Sequence, residues 1–326
     1  MHRFIVNLRY AWNIRKPKLI WRLVTNYIQA AVFGKVLLRY VDISIGYRCN
    51  LKCEHCFAAQ DPQKKKFNEQ KRMPPRFFAE EVVPRAMKMG AVNFSFQGGE
   101  PLMYDDLKDY IKAAQPDKNL ISITTNGTLL TQKKMQQLRS WGVDILTISV
   151  DKFHSRLDLL NLLVDARKAG LRVTLSTVVT HEQMSDPKQI EALGDLAGFC
   201  YDQQVILLLI LAVAMGRWAG NPEVMLDETD MVLVRRIERE IPYVRTDFKA
   251  NYARYGCGAA KEILFIKPEG DVYCCPFIDI SFGNLKCTDI TTIRNRMLEN
   301  KTLSEYSKTC LAGEGGGIWK RSLRQG

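Results

Sequence analysis

The chain has 326 residues, of which 46% are hydrophobic and 25% charged, an ordinary balance for a soluble globular protein of one barrel with an extension or of two domains. A formal net charge of +12 allows an anionic partner but also suits a basic enzyme, and we expect no specific nucleic-acid partner. The longest apolar run, residues 205–215, is about half the length needed to cross a bilayer, which excludes a spanning helix there. Nine cysteines without a secretory signal indicate a reducing compartment, so we expect a cytoplasmic protein.

Residues 1–40 interleave basic and aromatic side chains around amphipathic helical runs. This composition is typical of a helix that lies on a membrane surface. A helical flap packed against the rest of the protein, or a partner-binding helix, would have the same pattern. Lys35 and Arg39 interrupt the apolar stretch 30–41 and exclude a membrane span. Peripheral membrane contact and packing therefore both remain open for this segment.

Three cysteines follow a short apolar run, residues 41–45, that predicts a strand. Cys49, Cys53 and Cys56 have C-x3-C-x2-C spacing, so their thiolates can converge on one metal centre. A structural zinc site needs four protein ligands, and the odd cysteine count argues against a disulfide framework. Three thiolates leave one coordination position open, which predicts an iron–sulfur cluster that holds a substrate or cosubstrate.

With the aromatic Phe57 beside the last cysteine, this loop resembles the signature of the radical S-adenosylmethionine (radical SAM) superfamily over about residues 40–225. The resemblance implies that Cys49, Cys53 and Cys56 hold a [4Fe-4S] cluster whose fourth iron binds S-adenosylmethionine (SAM). It also implies one-electron cleavage of SAM to methionine and a 5′-deoxyadenosyl radical, which abstracts a hydrogen atom from substrate. An electron donor such as flavodoxin or ferredoxin would then be a partner.

After a polar loop at 60–75, predicted strands alternate with predicted helices. This alternation builds right-handed βαβ units and a parallel sheet. We therefore expect an α/β fold, a partial (β/α)6 barrel over residues 41–222, which is also what the resemblance implies. The predicted strands are 41–45, 92–96, 120–124, 145–150, 172–180 and 205–211, and the predicted helices are 77–89, 104–114, 132–141, 156–169 and 187–199.

Polar residues stand at the ends of these strands, where barrels place their chemistry. Gly98-Gly99-Glu100 is similar to the family's GGEP motif, which implies contact with the methionine amine of SAM. The polar residues at later strand ends match positions that face the ribose and carboxylate, although Asn126 and Asp151 could instead cap helices. His154 could act as a base or make structural hydrogen bonds. The implied cosubstrate contacts are Phe57, Gly98, Gly99, Glu100, Thr125, Asn126, Ser149, Asp151 and Arg217, with Ser176 and Thr177 as weaker candidates.

Residues 223–326 predict a small α+β domain with a capped helix at 226–241 and a hairpin from 263–266 to 272–273. Its cysteines resemble the SPASM/twitch extension of radical SAM enzymes, which implies a second, auxiliary [4Fe-4S] cluster. Cys257, Gly270 and Cys275 match the motif, and Cys310 is a third ligand. Gly313 stands where a further cysteine is expected, which leaves the fourth ligand open between Cys274 and Cys287.

Three functions follow from these parts. If the auxiliary cluster accepts an electron, the product is oxidised, by dehydrogenation or cross-linking of a small molecule, sugar or peptide. If Cys274 or Cys287 returns a hydrogen atom, the enzyme is an epimerase. The third hypothesis is a non-catalytic iron–sulfur or nucleotide-sensing module, although an electron carrier needs no cosubstrate pocket. We expect no leader-peptide domain before the barrel, which disfavours a peptide, whereas residues 1–40 could suit a lipid-linked or anionic substrate.

Overall fold

The computed structural model describes residues 15–59, 67–151, 158–246 and 256–314. Within these ranges ten strands form one sheet in the order β10-β9-β8-β1-β2-β3-β4-β5-β6-β7. The strands are β1 (Tyr40–Ser44), β2 (Asn93–Gln97), β3 (Leu120–Thr125), β4 (Ile145–Ser149), β5 (Arg172–Val179), β6 (Ile206–Leu211), β7 (Val244–Thr246), β8 (Ile263–Ile266), β9 (Asp271–Tyr273) and β10 (Ser281–Asn284).

The α-helices of the described residues follow the strands in the expected alternation. They are α1 (Pro17–Ala31), α2 (Pro75–Phe77), α3 (Val83–Lys88), α4 (Leu107–Ala113), α5 (Gln132–Trp141), α6 (Leu159–Lys168), α7 (His181–Ser185), α8 (Pro187–Asp202), α9 (Glu228–Glu240), α10 (Ile290–Glu299) and α11 (Lys301–Ser304). A π-helical turn, Phe78–Val82, joins α2 to α3. The polar loop expected at 60–75 lies partly outside the described residues and ends in a 3₁₀ turn, Glu69–Lys71.

Strands β1 to β6 pair in parallel and in chain order, which confirms the predicted partial (β/α)6 barrel. Each strand alternates its side chains between the helices and the barrel interior. On β2, Phe94 and Phe96 are buried against Phe78 in the helical layer. Asn93 and Gln97, on the opposite face of the strand, line an interior cavity. On β2 the alternation thus puts apolar residues under the helices and polar ones inside the barrel.

The C-terminal region continues the barrel sheet. Strand β8 pairs in parallel with β1, from Tyr40 opposite Ile263 to Ile43 opposite Ile266, and β9 returns antiparallel to β8 as the predicted hairpin. Strand β7 extends the other edge beside β6. Sequence analysis missed β7 and β10, which are as short as β8 and β9 but lack the apolar run and glycine turn that revealed the β8–β9 hairpin. The hairpin therefore lies next to the strand that leads into the first three cysteines.

Helix α1 lies across the N-terminal ends of β2, β3 and β4. The Lys16 ammonium donates to the carbonyl of Asn119 at 3.0 Å and pairs with Asp144, both at these ends. Leu19 is fully buried in a small cluster beneath them. Of the predicted segment 1–40, residues 1–14 lie outside the described residues. No helix in the described part of the chain is long and apolar enough to cross a membrane.

Candidate functional site

A cavity of about 2130 Å³ extends through the barrel, from the C-terminal ends of the strands to Ile20, Leu23, Val24, Tyr27 and Ile28 of α1 at the N-terminal ends. Residues of β4 and β5 show how the strands build it, because Ser149 lies opposite Ser176 in the sheet register and both line the cavity. His154 lies outside the described residues. The predicted residues that line this cavity are Cys49, Cys53, Cys56, Phe57, Gly98, Gly99, Glu100, Thr125, Asn126, Ser149, Asp151, Ser176, Thr177, Arg217, Cys257, Cys275 and Cys310.

The first three cysteines occupy the loop that follows β1. Cys49 is exposed, Cys53 is buried, and Cys56 is half-buried. Partial loss of solvent around the Cys49 and Cys56 thiols raises their pKa, so binding of a metal centre must release their protons. All three residues line the same cavity, which fits the predicted cluster with one coordination position open to a ligand.

Two glycines allow the loop to approach the end of β2 closely. The amide of Gly99 donates to the carbonyl of Gly46 at 2.8 Å, and the amide of Glu100 donates to that of Arg48 at 2.7 Å. A Cβ atom at Gly99 would overlap the Arg48 carbonyl oxygen. Gly98 has a φ of +129°, where L side chains are strained. The Gly-Gly pair therefore shapes the cysteine loop as well as the cavity wall.

The buried carboxylate of Glu100 joins the ends of β2 and β3. Its Oε1 accepts from the Thr125 hydroxyl at 2.7 Å and from the Leu102 amide at 3.0 Å, while Oε2 accepts from the Asn126 amide at 2.8 Å. The Asn126 side chain in turn donates to Asn50 Oδ1 at 2.8 Å and lies 3.9 Å from the sulfur of Cys49. A continuous polar chain thus runs from Glu100 to the first cysteine.

On the opposite side of the loop, His55 and Asp151 lie together. His55 Nε2 is 3.4 Å from Asp151 Oδ2, and the His55 ring packs near that of Trp218, with ring centroids 6.0 Å apart. Both residues line the cavity. Sequence analysis did not assign His55 to the site, although its position directly before Cys56 was a signal that it could lie there. Asp151 therefore orients a residue of the cysteine loop as well as facing the cavity.

Arg217 closes over the same loop from the segment after β6. Its guanidinium donates to the Lys52 carbonyl at 2.9 Å, and its amide donates to the Cys56 carbonyl at 3.2 Å. Gly216 precedes it with a φ of +60°, and a Cβ atom there would overlap the Cys56 carbonyl oxygen. Arg217 therefore holds the backbone of the cysteine loop through these two hydrogen bonds.

The Phe57 ring points toward the C-terminal hairpin. It makes edge contacts with Phe277, at 5.2 Å between centroids, and with Phe265 on β8, at 6.3 Å. Phe277 stands two residues after Cys275. The ring next to Cys56 therefore packs against the segment that carries Cys275.

The second cysteine set is largely enclosed by the protein. Cys257, Cys274 and Cys310 are buried. Burial, and then electrostatic coupling to Cys257, Cys274 and Cys310, raise the pKa of Cys275 well above its ordinary value, so these cysteines share one buried region. Cys287 is exposed in the turn that follows β10. Neither Cys274 nor Cys287, the two predicted hydrogen donors, is among the cavity-lining residues of the described chain.

Packing explains why a glycine occupies position 313. A Cβ atom there would lie 2.8 Å from the Leu211 Cβ atom. The Gly313 amide instead donates to the sulfur of Cys310 at 3.3 Å, and the Cys310 amide donates to the Glu314 carboxylate at 3.0 Å. Residues 310–314 therefore provide one thiol, that of Cys310, whose sulfur accepts a hydrogen bond from the backbone of the same segment.

A lysine that sequence analysis missed lies beside this second set. Lys261 is fully buried, and its ammonium donates to the carbonyls of Ala259 at 3.1 Å and Leu303 at 2.6 Å. Burial lowers its pKa, while the negative charges of Cys257 and Cys274 act in the opposite direction. Its place could not be found from the sequence, because a lone lysine in a loop predicts an exposed side chain.

Comparisons with known proteins agree with these two sets. Residues 43–194 match the model of the radical SAM superfamily, and residues 257–311 match that of an iron–sulfur cluster-binding domain, SPASM. A Bacillus subtilis protein named "Putative peptide biosynthesis protein YydG" is 31% identical over 166 residues, which are 48% of this chain and half of that protein. The AdoMet-dependent heme synthase of Nitratidesulfovibrio vulgaris is 23% identical over 327 residues, covering 85% of each chain.

Solved structures share the fold. Streptococcus suis SuiB bound to precursor peptide SuiA superposes with a TM-score of 0.61 at 18% identity, covering 87% of this chain and 71% of that one. The protein anSMEcpe with bound AdoMet and Cp18Cys peptide superposes with a TM-score of 0.55 at 16% identity, covering 83% of both. At these identities the likeness is one of fold.

Proposed function

Since this chain belongs to the radical SAM superfamily and carries an iron–sulfur cluster-binding SPASM domain, we propose that it is a radical SAM enzyme that oxidises a peptide. The two domains imply [4Fe-4S] clusters and SAM as cofactors. One observation carries the oxidative assignment, namely that cysteines of both sets line one cavity. A substrate radical formed near the first set therefore has a second redox site within the same enclosure.

We assign Cys49, Cys53 and Cys56 as ligands of the SAM-binding cluster. When bound, the reduced cluster supplies the electron that cleaves SAM to methionine and a 5′-deoxyadenosyl radical. The protein holds the loop through Arg217 and the Gly98-Gly99 turn. The polar chain from Glu100 through Asn126 orients Cys49. Ser149, Asp151 and Ser176 present polar groups to the cosubstrate from the neighbouring strands. A donor such as flavodoxin or ferredoxin delivers the electron.

We assign Cys257, Cys274, Cys275 and Cys310 as ligands of the auxiliary cluster. The burial of Cys257, Cys274 and Cys310, together with the electrostatic coupling that raises the pKa of Cys275, supports this set, and the exposure of Cys287 argues against that residue. Forming a two-electron oxidised product from a substrate radical requires removal of one more electron and a proton. An auxiliary cluster held by the second set would accept that electron beside the cavity, which Cys257, Cys275 and Cys310 line. A thiol that returned a hydrogen atom would have to reach into the cavity, where Cys274 and Cys287 do not lie.

Two observations support a peptide as the substrate. The cavity, with about 2130 Å³ between the cysteines and α1, is larger than the roughly 300–1,000 Å³ of a typical small-molecule pocket, which leaves room for a substrate larger than a small molecule. A relative by sequence is named for peptide biosynthesis, and two proteins of the same fold have been solved with peptides bound. These relations outweigh the expectation from sequence that disfavoured a peptide.

The test is anaerobic turnover of reconstituted full-length protein with dithionite, SAM and a synthetic peptide library in D₂O. We expect 5′-deoxyadenosine and peptides that are 2 Da lighter, with no deuterium at the reacted carbon. Cys49→Ala protein is the matched control and should form neither product. Uptake of one solvent deuterium with inverted stereochemistry would instead identify an epimerase. Failure to form 5′-deoxyadenosine by protein with a full iron content would contradict radical SAM chemistry.

A further inference from the structure

Helix α1 has one face that is fixed to the barrel. Besides the contacts of Lys16, the Asn26 side chain donates to the carbonyl of Gly90 at 2.6 Å. Arg22 donates to the carbonyl of Lys118 at 3.1 Å and to Asn119. Leu19 is fully buried against Val92, Leu120 and Ile145. Rolling the helix would break these buried polar contacts, so the side of α1 that carries Trp21 stays outside the barrel, while Val24, Tyr27 and Ile28 border the N-terminal end of the cavity.

The outer face of α1 and the residues after it carry an exposed apolar surface. Trp21 is 70% exposed, Val32 70% and Phe33 68%. Seven of the eleven large apolar side chains that are exposed in the described residues belong to this stretch of sixteen residues. We name them the α1 stripe: Trp21, Val24, Tyr27, Ile28, Val32, Phe33 and Val36.

The charged residues of the segment that carries the stripe have one sign. No aspartate or glutamate occurs before Asp42, the first acidic residue of the sequence. On the described part of this segment, Lys18 and Lys35 are exposed, and Lys18 faces a single carboxylate, that of Asp117, at 3.4 Å. The basic residues of the segment are Arg3, Arg9, Arg15, Lys16, Lys18, Arg22, Lys35 and Arg39.

We propose that the α1 stripe binds the surface of an anionic lipid bilayer, with α1 parallel to the plane of the membrane. An apolar helix face flanked by lysine and arginine, with aromatic side chains among them, is the arrangement that binds such surfaces. A second copy of the chain would bring Lys18 and Lys35 against the same acid-free segment, so charge disfavours a dimer through this face. A bilayer of anionic lipids supplies both the apolar layer and the negative charge.

Because the inner face of α1 is fixed to the barrel, it determines the orientation of the protein on the membrane. Helix α1 covers the N-terminal ends of β2 to β4, and the cysteine loop follows the C-terminal end of β1 in the same parallel sheet. The membrane therefore contacts the end of the barrel opposite Cys49. The cavity mouth at the cysteines stays open to substrate and to an electron donor. The proposal does not rest on the chemistry proposed for the cavity, although Val24, Tyr27 and Ile28 of the stripe also line the end of the cavity opposite the cysteines.

The test is co-sedimentation of the full-length protein with vesicles of phosphatidylglycerol and phosphatidylcholine, and with vesicles of phosphatidylcholine alone. We expect binding to the anionic vesicles that weakens with added salt. A Trp21→Ser/Val32→Ser/Phe33→Ser variant should bind at least about tenfold more weakly, since each change removes apolar area from the membrane interface. None of these three residues is among those that line the cavity.

The matched control is a Leu160→Ser/Val232→Ser variant, which changes exposed apolar residues on α6 and α9 (51% and 65% exposed) and should bind like the wild type. Circular dichroism and 5′-deoxyadenosine formation check that each variant is folded. Equal vesicle binding by the stripe variant, or none by the wild type, would overturn the proposal. Sedimentation velocity provides a further arm, because a wild-type dimer that dissociates in the stripe variant would identify a second copy as the occupant and also overturn it.

Discussion

The two cysteine sets share one cavity but are built in different ways. The first is a single loop with an exposed cysteine, and Asn126 is a polar neighbour of that cysteine. The second gathers buried cysteines from distant segments around a buried lysine. An exposed loop leaves a coordination position for a ligand that arrives and departs. An enclosed set is satisfied by the chain itself, as in closed structural metal sites.

The two cysteine sets also differ in the backbone hydrogen bonds that position them. Backbone contacts from Glu100 and Arg217 position the first loop. In the second set, the Cys257 amide donates to the Ser307 carbonyl at 2.6 Å, and the Ala260 amide donates to the Cys274 carbonyl at 2.9 Å. The first set can therefore form with the barrel, whereas the second requires residues 257–310 to be folded together.

The largest expected effect comes from removing one cysteine of each set. Cys49→Ala and Cys275→Ala should each lower the iron content from about eight to about four atoms per chain, the content of one [4Fe-4S] cluster. Only Cys49→Ala should abolish cleavage of SAM, because only the first loop presents an open position. Iron assay and chromatography of 5′-deoxyadenosine give both results. Loss of uncoupled SAM cleavage in Cys275→Ala protein would show that the two sets are not independent.

A second pair of variants tests whether Cys274 or Cys287 is the fourth ligand of the auxiliary cluster. Cys274→Ser should lower the iron content from about eight to about four atoms, since a buried ligand is lost. Cys287→Ser is the matched control, and its exposed position predicts unchanged iron. Electron paramagnetic resonance of the reduced proteins shows which signal disappears. The opposite result would transfer the fourth ligand to Cys287.

The polar chain beside the first loop should have an intermediate effect. Glu100→Gln places an amide where the carboxylate accepts from Thr125 and Asn126, so it should weaken SAM binding by about 10- to 100-fold. Isothermal titration with SAM measures the change. Glu314→Gln, which alters a buried carboxylate beside Cys310 in the second set, is the control. Equal losses of SAM affinity in both variants would contradict the prediction that only the first cysteine set takes part in SAM binding.

The smallest effect concerns the stability of the enclosed set. Lys261→Met leaves the carbonyls of Ala259 and Leu303 without their donor, which should lower the free energy of unfolding by about 1–3 kcal/mol. Urea denaturation of the iron-free protein measures it. Lys267, whose ion pair with the exposed Asp279 is on the surface side, is the comparison, and Lys267→Met should cost less than about 1 kcal/mol. A larger loss of unfolding free energy for Lys267→Met would contradict the prediction that the buried Lys261 contributes more to stability.

Local sequence patterns predicted the barrel well. Helix α5 was expected at 132–141 and is observed as Gln132–Trp141, and β3 was expected at 120–124 and is observed as Leu120–Thr125. Hydrophobic periodicity is a property of neighbouring residues, so it can be found without knowledge of the fold. The spacing of Cys49, Cys53 and Cys56 is local for the same reason, and the family comparison confirms the resemblance drawn from it.

Other features required the tertiary structure. The sequence left residues 1–40 open between packing and membrane contact, and the fold shows that one face of α1 packs while the other is exposed. Sequence spacing also did not distinguish Cys274 from Cys287.

The amino-acid sequence by itself determined the strand–helix alternation, the cysteine loop and the polar strand ends, because each depends on residues a few positions apart. Only the tertiary structure decided that β8 pairs with β1, that Asp151 contacts His55, and that Lys261 lies buried beside the second cysteine set. Such contacts join segments up to more than two hundred residues apart. They depend on how packed elements meet in space, and local periodicity carries no information about that.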